Sequence, residues 1–266
     1  MNLSSAKKKR SVQFNSLKCR LAGDHGENLQ TYIETIKCGA ILRKRIKKER
    51  LNMKEGLTEI VFIMDRSGSM SGLESDTISG FNATIEKQKK EPGEALISTV
   101  LFDDKSEVLY DRVNLEKIEP MTDKQYFVRG STALVDALGG AIHHIGNVHK
   151  YARDEDRPEK TVFIITTDGY ENSSHRYDAA QVRAMVERQK RKYGWEFIFL
   201  GANIDAIETA RHYGIDEDRA ANFVNDEMGI EVMCRAESAV ISDIRKGRAR
   251  NRNWKKEVEA DYKKRR

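Results

Sequence analysis

The stretch that most constrains the fold of this chain is residues 57–71, LTEIVFIMDRSGSMS, where an apolar run ends abruptly in a polar loop. The run Ile60–Met64 is short and mostly β-branched or aromatic, a composition typical of a strand buried on both faces of a sheet. Asp65, Ser67 and Ser69 follow it with side-chain oxygens at every second position, and a glycine between the serines lets the backbone bend. Small hard cations bind oxygen ligands, and open α/β sheets bind ligands at the carboxyl ends of their strands. The stretch therefore predicts a cation loop at the end of a central strand.

The charge of the chain is concentrated at its two ends. Residues 1–56 carry 14 basic residues (Lys or Arg) and 5 acidic residues (Asp or Glu), and residues 245–266 carry 11 basic and 3 acidic residues. The body between them carries 22 basic and 34 acidic residues. An acidic body between basic ends is not the pattern of a basic nucleic-acid-binding domain. The overall charge of +5 is therefore a property of the ends.

Nothing in the composition indicates a membrane protein. No apolar run approaches the roughly 18–20 residues that a membrane span requires, and the basic N-terminus lacks the apolar segment of a signal peptide. The three cysteines are widely spaced, which favours a reducing compartment over a disulfide framework or a zinc site. We therefore expect a cytoplasmic protein.

Residues 1–56 differ from the rest and are predicted to be a basic N-terminal extension. Leu29–Ile46 has the spacing of an amphipathic helix, and the extension either binds an acidic partner or nucleic acid or is poorly ordered. Lys48 and Glu49 can be encoded by AAG-GAG, a ribosome-binding core, and Met53 follows shortly after. We therefore hypothesise that translation starts at Met53.

From Leu57 onward, strand and helix patterns alternate. The predicted strands are Ile60–Met64, Leu96–Phe102, Glu107–Val113, Thr161–Thr166, Glu196–Leu200 and Ala220–Val224. The predicted helices are Ser75–Gln88, Ala133–Tyr151, Asp178–Lys192, Ile204–Tyr213 and Met228–Arg245. The third strand follows a short polar turn, so we expect it to pair as an antiparallel edge strand. The alternation predicts an α/β domain over residues 57–245, with a mostly parallel sheet covered by helices on both faces, and a basic C-terminal tail over residues 246–266.

Two later loops offer oxygens in similar positions. Thr132 stands at the start of a predicted helix, and Asp168 follows the buried strand that ends near Thr166.

The residues of this candidate metal site can also be explained by structural roles alone. Asp65 would bond its own loop, the two serines would be turn residues, and Thr132 would be a helix N-cap. Taken together, the three loops favour a metal site.

The motifs DRSGSM, GST and TTDG, in that order, resemble those of a von Willebrand factor A (vWA) domain with a metal-ion-dependent adhesion site (MIDAS). That family combines a DxSxS loop with a distant threonine and a distant aspartate. The resemblance covers residues 57–245, about 70% of the chain, and implies a Rossmann-like, doubly wound sheet. Thr167–Ser174 and Tyr193–Asn203 resemble stand-alone bacterial and phage proteins of this type, which commonly begin near the equivalent of Met53.

The resemblance also implies a role for each site residue. Ser67 and Ser69 would coordinate Mg²⁺ directly, and Asp65 and Asp168 would bind it directly or through water. Thr132 would bind the metal when the site engages an acidic ligand. Mg²⁺ takes six oxygens and dehydrates reluctantly, so hydroxyls with few carboxylates suit it, and Mn²⁺ fits the same oxygens.

Several neighbouring residues are weaker candidates. Glu171, Asn172 and His175 follow the metal-site aspartate and either form the rim of the site or belong to a solvated loop. Asp103 and Asp104 are expected to be residues of the hairpin turn.

These features favour a protein–protein interaction module that binds an acidic group of a partner through Mg²⁺. One alternative is association with nucleic acid through the basic ends, where Trp254 and Tyr262 lie among lysines and arginines. A second is a Mg²⁺-dependent phosphohydrolase with Asp65 as nucleophile. Against it, Ser67 occupies the position where such enzymes carry a second carboxylate, and the sequence has no GxSxG motif, no Walker lysine motif and no Cys/His zinc spacing. We therefore expect no enzymatic activity.

Overall fold

The structure is a computed structural model that describes residues 54–248, 251 and 253–265. The predicted helix over Leu29–Ile46 and the hypothesis of a start at Met53 fall outside the described residues. The first strand already begins at Lys54, so residues 54–56 belong to the sheet and not to the predicted extension.

The described residues form one sheet of six strands, which are β1 (Lys54–Asp65), β2 (Ala95–Phe102), β3 (Ser106–Asn114), β4 (Pro158–Thr167), β5 (Glu196–Gly201) and β6 (Ala220–Asn222). Their order across the sheet is β3-β2-β1-β4-β5-β6. The β2–β3 pair is antiparallel, and the other neighbouring pairs are parallel. The predicted mostly parallel sheet with one antiparallel edge strand is confirmed.

The helices of the described residues are α1 (Glu74–Lys89), α2 (Leu134–Tyr151), α3 (Ala179–Tyr193), α4 (Ala206–His212), α5 (Glu227–Arg245) and α6 (Lys256–Arg265). Apolar side chains of α1, α5 and α6 pack on one face of the sheet, and those of α2, α3 and α4 pack on the other. Alternate residues of β1 pack into the hydrophobic cores on the two faces of the sheet. Ile60 and Phe62 face the core under α1, α5 and α6, and Val61 and Ile63 face the core under α2, α3 and α4. Helices therefore cover both faces, as predicted.

The strand order places the ends of β1 and β4 side by side at the centre of the sheet. The chain runs outward through β2 and β3 on one side of β1 and through β4, β5 and β6 on the other. The order thus reverses between β1 and β4, the point at which doubly wound sheets open a crevice for a ligand. The loops after β1 and β4 are those that carry the predicted carboxylates.

The C-terminal residues correct the expectation of a basic tail. Trp254 and Val258 are buried in the core that also contains residues of α5. The indole N–H of Trp254 donates to the carbonyl of Asp218 at 3.0 Å, and Lys255 Nζ donates to the carbonyl of Ala220 at 3.0 Å. The tail interpretation is therefore wrong for residues 253–265, because two apolar side chains four positions apart anchor them to the body.

No helix of the described residues has both the length and the apolar character that crossing a membrane requires.

Candidate metal centre

The first loop of the site begins where β1 ends. Asp65 is the last residue of β1 and is buried, and its Oδ1 accepts a hydrogen bond from the backbone N–H of Ser67 at 2.7 Å. Its Oδ2 accepts one from Thr167 Oγ1 at 2.6 Å, so the carboxylate joins this loop to the end of β4. The hydroxyl oxygens of Ser67 and Ser69 lie 3.2 Å apart. The DxSxS loop is therefore folded so that its three side chains converge.

Asp168 completes the site from the neighbouring strand. It directly follows β4 and is buried, and its Oδ1 accepts a hydrogen bond from Ser69 Oγ at 2.5 Å. Its Oδ2 accepts one from Asn225 Nδ2 at 2.9 Å. Since β1 and β4 pair in parallel, their carboxyl ends bring Asp65 and Asp168 to the same edge of the sheet. Four of the predicted ligands thus meet there.

Thr132, in the loop before α2, lies close to the side chains that meet at this edge of the sheet. A Cβ atom added to Gly169 would lie 3.4 Å from Thr132 Oγ1 and 3.5 Å from Ser69 Oγ, so the two hydroxyls face one small space. Helix α2 begins at Leu134 with Ala133 as its N-cap, so the alternative of Thr132 as a helix cap is wrong. The glycine at position 169 keeps this space free of a side chain.

The two carboxylates of the site are held in an environment that disfavours their charge. Burial raises the pKa of Asp65, and hydrogen bonds from Ser67 and Thr167 offset this only in part, while the nearby Asp168 raises it further. Burial likewise raises the pKa of Asp168 despite its bonds to Ser69 and Asn225. A bound cation would remove this penalty, because opposite charge favours the ionised form.

The oxygens of the site fit a small hard cation. Ligands of Mg²⁺ at 2.0–2.1 Å lie about 3 Å from one another in an octahedron. The spacings of 3.2 Å between Ser67 and Ser69 and of 2.5 Å between Ser69 and Asp168 are close to that value. The described residues contain no group of three or more His, Cys, Asp or Glu that could hold a metal. A metal here would therefore depend on hydroxyl oxygens, which suit Mg²⁺ or Mn²⁺ better than metals that prefer nitrogen or sulfur.

A buried arginine, which the sequence analysis missed, supports the loops of the site. Arg66, inside the DxSxS motif, is fully buried, and its Nε donates to Asp103 Oδ2 at 2.8 Å. Its Nη2 donates to Glu107 at 2.7 Å, and Arg129 Nε donates to the same Asp103 oxygen at 2.8 Å. Asp103 therefore joins the loop after β1 to the loop that leads to Thr132.

Asp103 lies in the turn between β2 and β3, as predicted, and its Oδ1 accepts from the Lys105 N–H at 2.9 Å, but it also has the buried ion pairs that the sequence analysis missed. The carboxylate of Asp103 is buried, and burial opposes its ionisation, yet hydrogen bonds from Arg129, the Lys105 backbone N–H and Arg66 lower its pKa to about 2. The backbone carbonyl of Asp103 also accepts from Ala133 N–H at 2.7 Å. Its neighbour Asp104 is exposed, as a turn residue would be.

The predicted rim residues Glu171, Asn172 and His175 lie beside the site, and the hydrogen bonds of the first two stabilise the neighbouring backbone. Glu171 accepts from the N–H of Val135 at 2.8 Å and so caps the first turn of α2. Asn172 Oδ1 accepts from the N–H of Thr132 at 2.9 Å, and Asn172 N–H donates to the carbonyl of Thr132 at 3.0 Å. Both side chains thus bond to backbone around the Thr132 loop. His175 is exposed, and its backbone N–H donates to Asp136 at 2.9 Å.

Three further residues of the site were missed. Asn225 and Thr167 bond the two carboxylates, and the buried Tyr126 donates from its hydroxyl to the backbone carbonyl of Asp65 at 2.6 Å. Thr167 follows a predicted strand directly before Asp168, so its position was a usable signal. Asn225 follows the short last strand, and only the topology of the sheet reveals that this strand ends near the site.

Comparisons with known proteins agree with the architecture. No family model and no curated protein matches the chain. A structure of proximal thread matrix protein 1 from the mussel byssus, with a zinc-occupied MIDAS motif, is similar at 16% identity and a TM-score of 0.50, over 70% of this chain and 46% of that one. A von Willebrand factor type A structure from Catenulispora acidiphila is similar at 15% identity and a TM-score of 0.46, over 70% of this chain and 42% of that one.

This chain thus spans less than half the length of either of those two chains. Together with the sheet order, the similarity to the mussel structure shows an α/β fold of the vWA type. The resemblance to the stand-alone bacterial and phage group stays a prediction.

Proposed function

We propose that this protein is a metal-dependent protein–protein interaction module, in which Mg²⁺ bound at the centre is completed by an Asp or Glu of a partner. The observation that supports this most directly is the convergence of five oxygen-bearing side chains from three loops. They are Asp65, Ser67, Ser69, Thr132 and Asp168. Only two of the five are carboxylates.

The balance of hydroxyls and carboxylates suits the binding of an acidic ligand. Hydroxyl ligands carry no charge, so they leave more of the positive charge of the cation than carboxylates would. In addition, Mg²⁺ usually keeps exchangeable waters. A metal held in this way offers a position that a carboxylate from outside can take. Ser69 is exposed while the other four side chains are buried, so the opening of the site lies on the side of Ser69. The zinc-occupied MIDAS of the mussel protein supports the choice of a divalent cation in general.

The chemistry of the site gives less support to a phosphohydrolase. Position 67, two residues after Asp65, carries a serine, so a general acid or base is missing where a nucleophilic aspartate would need one. Turnover of a general phosphomonoester that disappears in Asp65→Asn would overturn the proposal of a non-enzymatic module.

Association with nucleic acid through the C-terminal residues also has less support than the sequence suggested. Trp254 is buried and therefore does not offer a face on which a base could stack. Arg265 is engaged by Asp226 and Asp261. RNA binding that survives loss of the metal site but not neutralisation of the exposed lysines of α6 would favour this alternative.

The proposal is tested by selecting from a random peptide display library on the immobilised protein, with Mg²⁺ or with EDTA. We expect peptides enriched in Mg²⁺ to share an Asp or Glu, and we expect the enrichment to vanish in EDTA and in Asp168→Asn. Asp178→Asn is the matched control, since Asp178 is an exposed aspartate that caps α3. Selection of the same peptides with and without metal would contradict the proposal.

A further inference from the structure

The last turn of α6 lies against the loop of residues 223–226, which joins β6 to α5. Arg265 Nη1 donates to Asp226 Oδ1 at 2.9 Å and to Asp226 Oδ2 at 2.6 Å. The Nε of the same arginine donates to Asp261 Oδ1 at 2.8 Å, one turn earlier in α6. The side chain of Arg265 is 22% exposed, so its pair with Asp226 is partly shielded from water. The end of α6 is thus attached to the segment just before α5.

Asp226, the partner of Arg265, fixes the conformation of this loop. Its Oδ1 also accepts from the N–H of Gly229 at 2.7 Å and so caps α5, while its own N–H donates to the carbonyl of Val224 at 3.0 Å. The pKa of Asp226 lies below its usual value, chiefly because Arg265 donates to the carboxylate. A Cβ atom added to Gly229 would lie 1.9 Å from the Val224 carbonyl oxygen, so the loop packs directly on the first turn of α5.

Asn225, the residue before Asp226, reaches from this loop to the metal centre. Its Nδ2 donates to Asp168 Oδ2 at 2.9 Å. Its Oδ1 is buried and has no hydrogen-bond partner in the part of the chain that the structure describes. Since no second hydrogen bond fixes the amide, the position of the amide depends on the backbone of the loop that carries it.

The bond from Asn225 orients a candidate metal ligand. The two oxygens of Asp168 each accept one hydrogen bond, Oδ1 from Ser69 and Oδ2 from Asn225. Ser69 is itself a candidate ligand, whereas Asn225 belongs to the surroundings of the site. Groups that hold a metal-binding carboxylate in place commonly change metal affinity about 10- to 100-fold when they are removed. The position of the Asn225 amide is therefore expected to influence how well the site binds a cation.

We propose that Arg265 is a positioning residue of the metal centre, which acts through Asp226 to fix the loop from which Asn225 orients Asp168. The inference rests on the proposed function, because it concerns the same metal site. It gives α6 a role beyond covering the core, since the attachment of its last turn then helps to set the affinity for Mg²⁺.

Two simpler roles of Arg265 would leave different signatures. If the arginine only attached α6 to the body, its loss would lower the stability of the protein and leave the Mg²⁺ affinity unchanged. If it acted on the metal only through its charge, its loss would raise the affinity, because like charges repel one another. A positioning role predicts the opposite sign, a fall in affinity when the positive charge is removed.

Calorimetric titration of Mg²⁺ into the full chain tests the proposal. Arg265→Gln is expected to lower the affinity by about two- to fivefold, as suits a partly exposed ion pair, and Asn225→Ala by about tenfold or more. The matched control is Lys264→Gln, which removes an exposed positive charge one position earlier in α6. The control is expected to bind Mg²⁺ as tightly as the wild type or slightly more tightly.

A double variant shows whether Arg265 acts through Asn225. Adding Arg265→Gln to Asn225→Ala is expected to cause no further loss of affinity, because a residue that acts through another has no effect once the other is gone. Circular dichroism in EDTA checks that each variant is folded. The side-chain amide signal of Asn225 in the nuclear magnetic resonance spectrum gives a readout without metal. It is identified by its absence in Asn225→Ala, and it is expected to shift in Arg265→Gln and not in Lys264→Gln.

Several results would overturn the inference. An unchanged or higher Mg²⁺ affinity in Arg265→Gln would do so, as would an equal loss with and without Asn225, or an Asn225 signal that Arg265→Gln leaves in place. Failure of the proposed function gives a different result, since the wild type itself would then show no saturable binding of Mg²⁺. If the wild type binds Mg²⁺ and Asp168→Asn does not, while Arg265→Gln and Lys264→Gln bind alike, the metal site stands and only the role of Arg265 is lost.

Discussion

At the scale of single residues, the site depends on buried charges that compensate one another. Arg66 and Asp103 are both fully buried and lie in different loops, and Arg129 shares the same carboxylate oxygen. Breaking a buried ion pair by removing one partner typically costs about 3–5 kcal/mol, because the remaining charge is left without compensation. Asp103 therefore holds together the two loops that supply Ser67, Ser69 and Thr132.

The variant Asp103→Asn is expected to lower the free energy of unfolding in EDTA by about 3 kcal/mol, because Arg66 stays buried with less compensating charge. Guanidinium unfolding measures this change. The neighbouring substitution Asp104→Asn is the matched control, and because Asp104 is exposed its effect should stay within about 0.5 kcal/mol. Equal effects of the two substitutions would show that the buried ion pairs of Asp103 do not stabilise the fold.

Some residues of the site could be predicted from the sequence alone, and others could not. The candidate ligands could be predicted because each lies just after a strand or just before a helix, in a recognisable motif. Arg66 and Asn225 could not be predicted as site residues, because their roles depend on contacts with distant residues. Arg66 bonds to Asp103, 37 positions away, and Asn225 bonds to Asp168, 57 positions away, and only the folded chain brings these partners close. Hydrogen bonds of this kind leave no local pattern in a sequence.

At the scale of elements, the C-terminal segment is the main departure from the sequence analysis. The strands and longer helices follow from periodic apolar residues, and their predicted bounds agree with the structure to within a few residues, apart from the longer N-terminal parts of β1 and β4. Residues 253–265 have few apolar side chains and many charges, so composition predicted a solvated tail. Trp254 and Val258 were enough to dock the segment beside β6.

The substitution Trp254→Ala tests whether α6 is part of the folded body. Since Trp254 is 5% exposed and donates to a backbone carbonyl, we expect a loss of about 3 kcal/mol in the free energy of unfolding by urea. Lys256→Ala on the exposed side of the same segment should change the stability little. A change below about 0.5 kcal/mol for Trp254→Ala would support a solvated tail.

At the scale of the whole molecule, stability should depend on pH through a carboxyl group between helices. Glu237 of α5 is buried, and burial raises its pKa to about 8 from the usual value of 4.5. The folded protein therefore keeps a proton that the unfolded chain has lost between these two values. Stability from this group is fully present below pH 4.5 and is lost as the pH rises towards about 8.

Glu237→Gln is expected to reduce this decline, with an effect of up to roughly 5 kcal/mol on the free energy of unfolding at pH 8 relative to the wild type. Denaturant unfolding at pH 5 and pH 8 measures it, with the exposed Glu231→Gln on the same helix as control. The same pH dependence in wild type and Glu237→Gln would show that the buried carboxyl is not its source.

The central claim for the whole molecule is that three loops form one Mg²⁺ site, and calorimetric titration of Mg²⁺ tests it most directly. We predict saturable binding by the wild type and by Asp178→Asn, and no measurable binding by Asp168→Asn. The last variant should remain folded in EDTA, because burial raises the pKa of Asp168 and the loss of its charge relieves a cost in the metal-free protein. An unchanged Mg²⁺ affinity in folded Asp168→Asn would contradict the account.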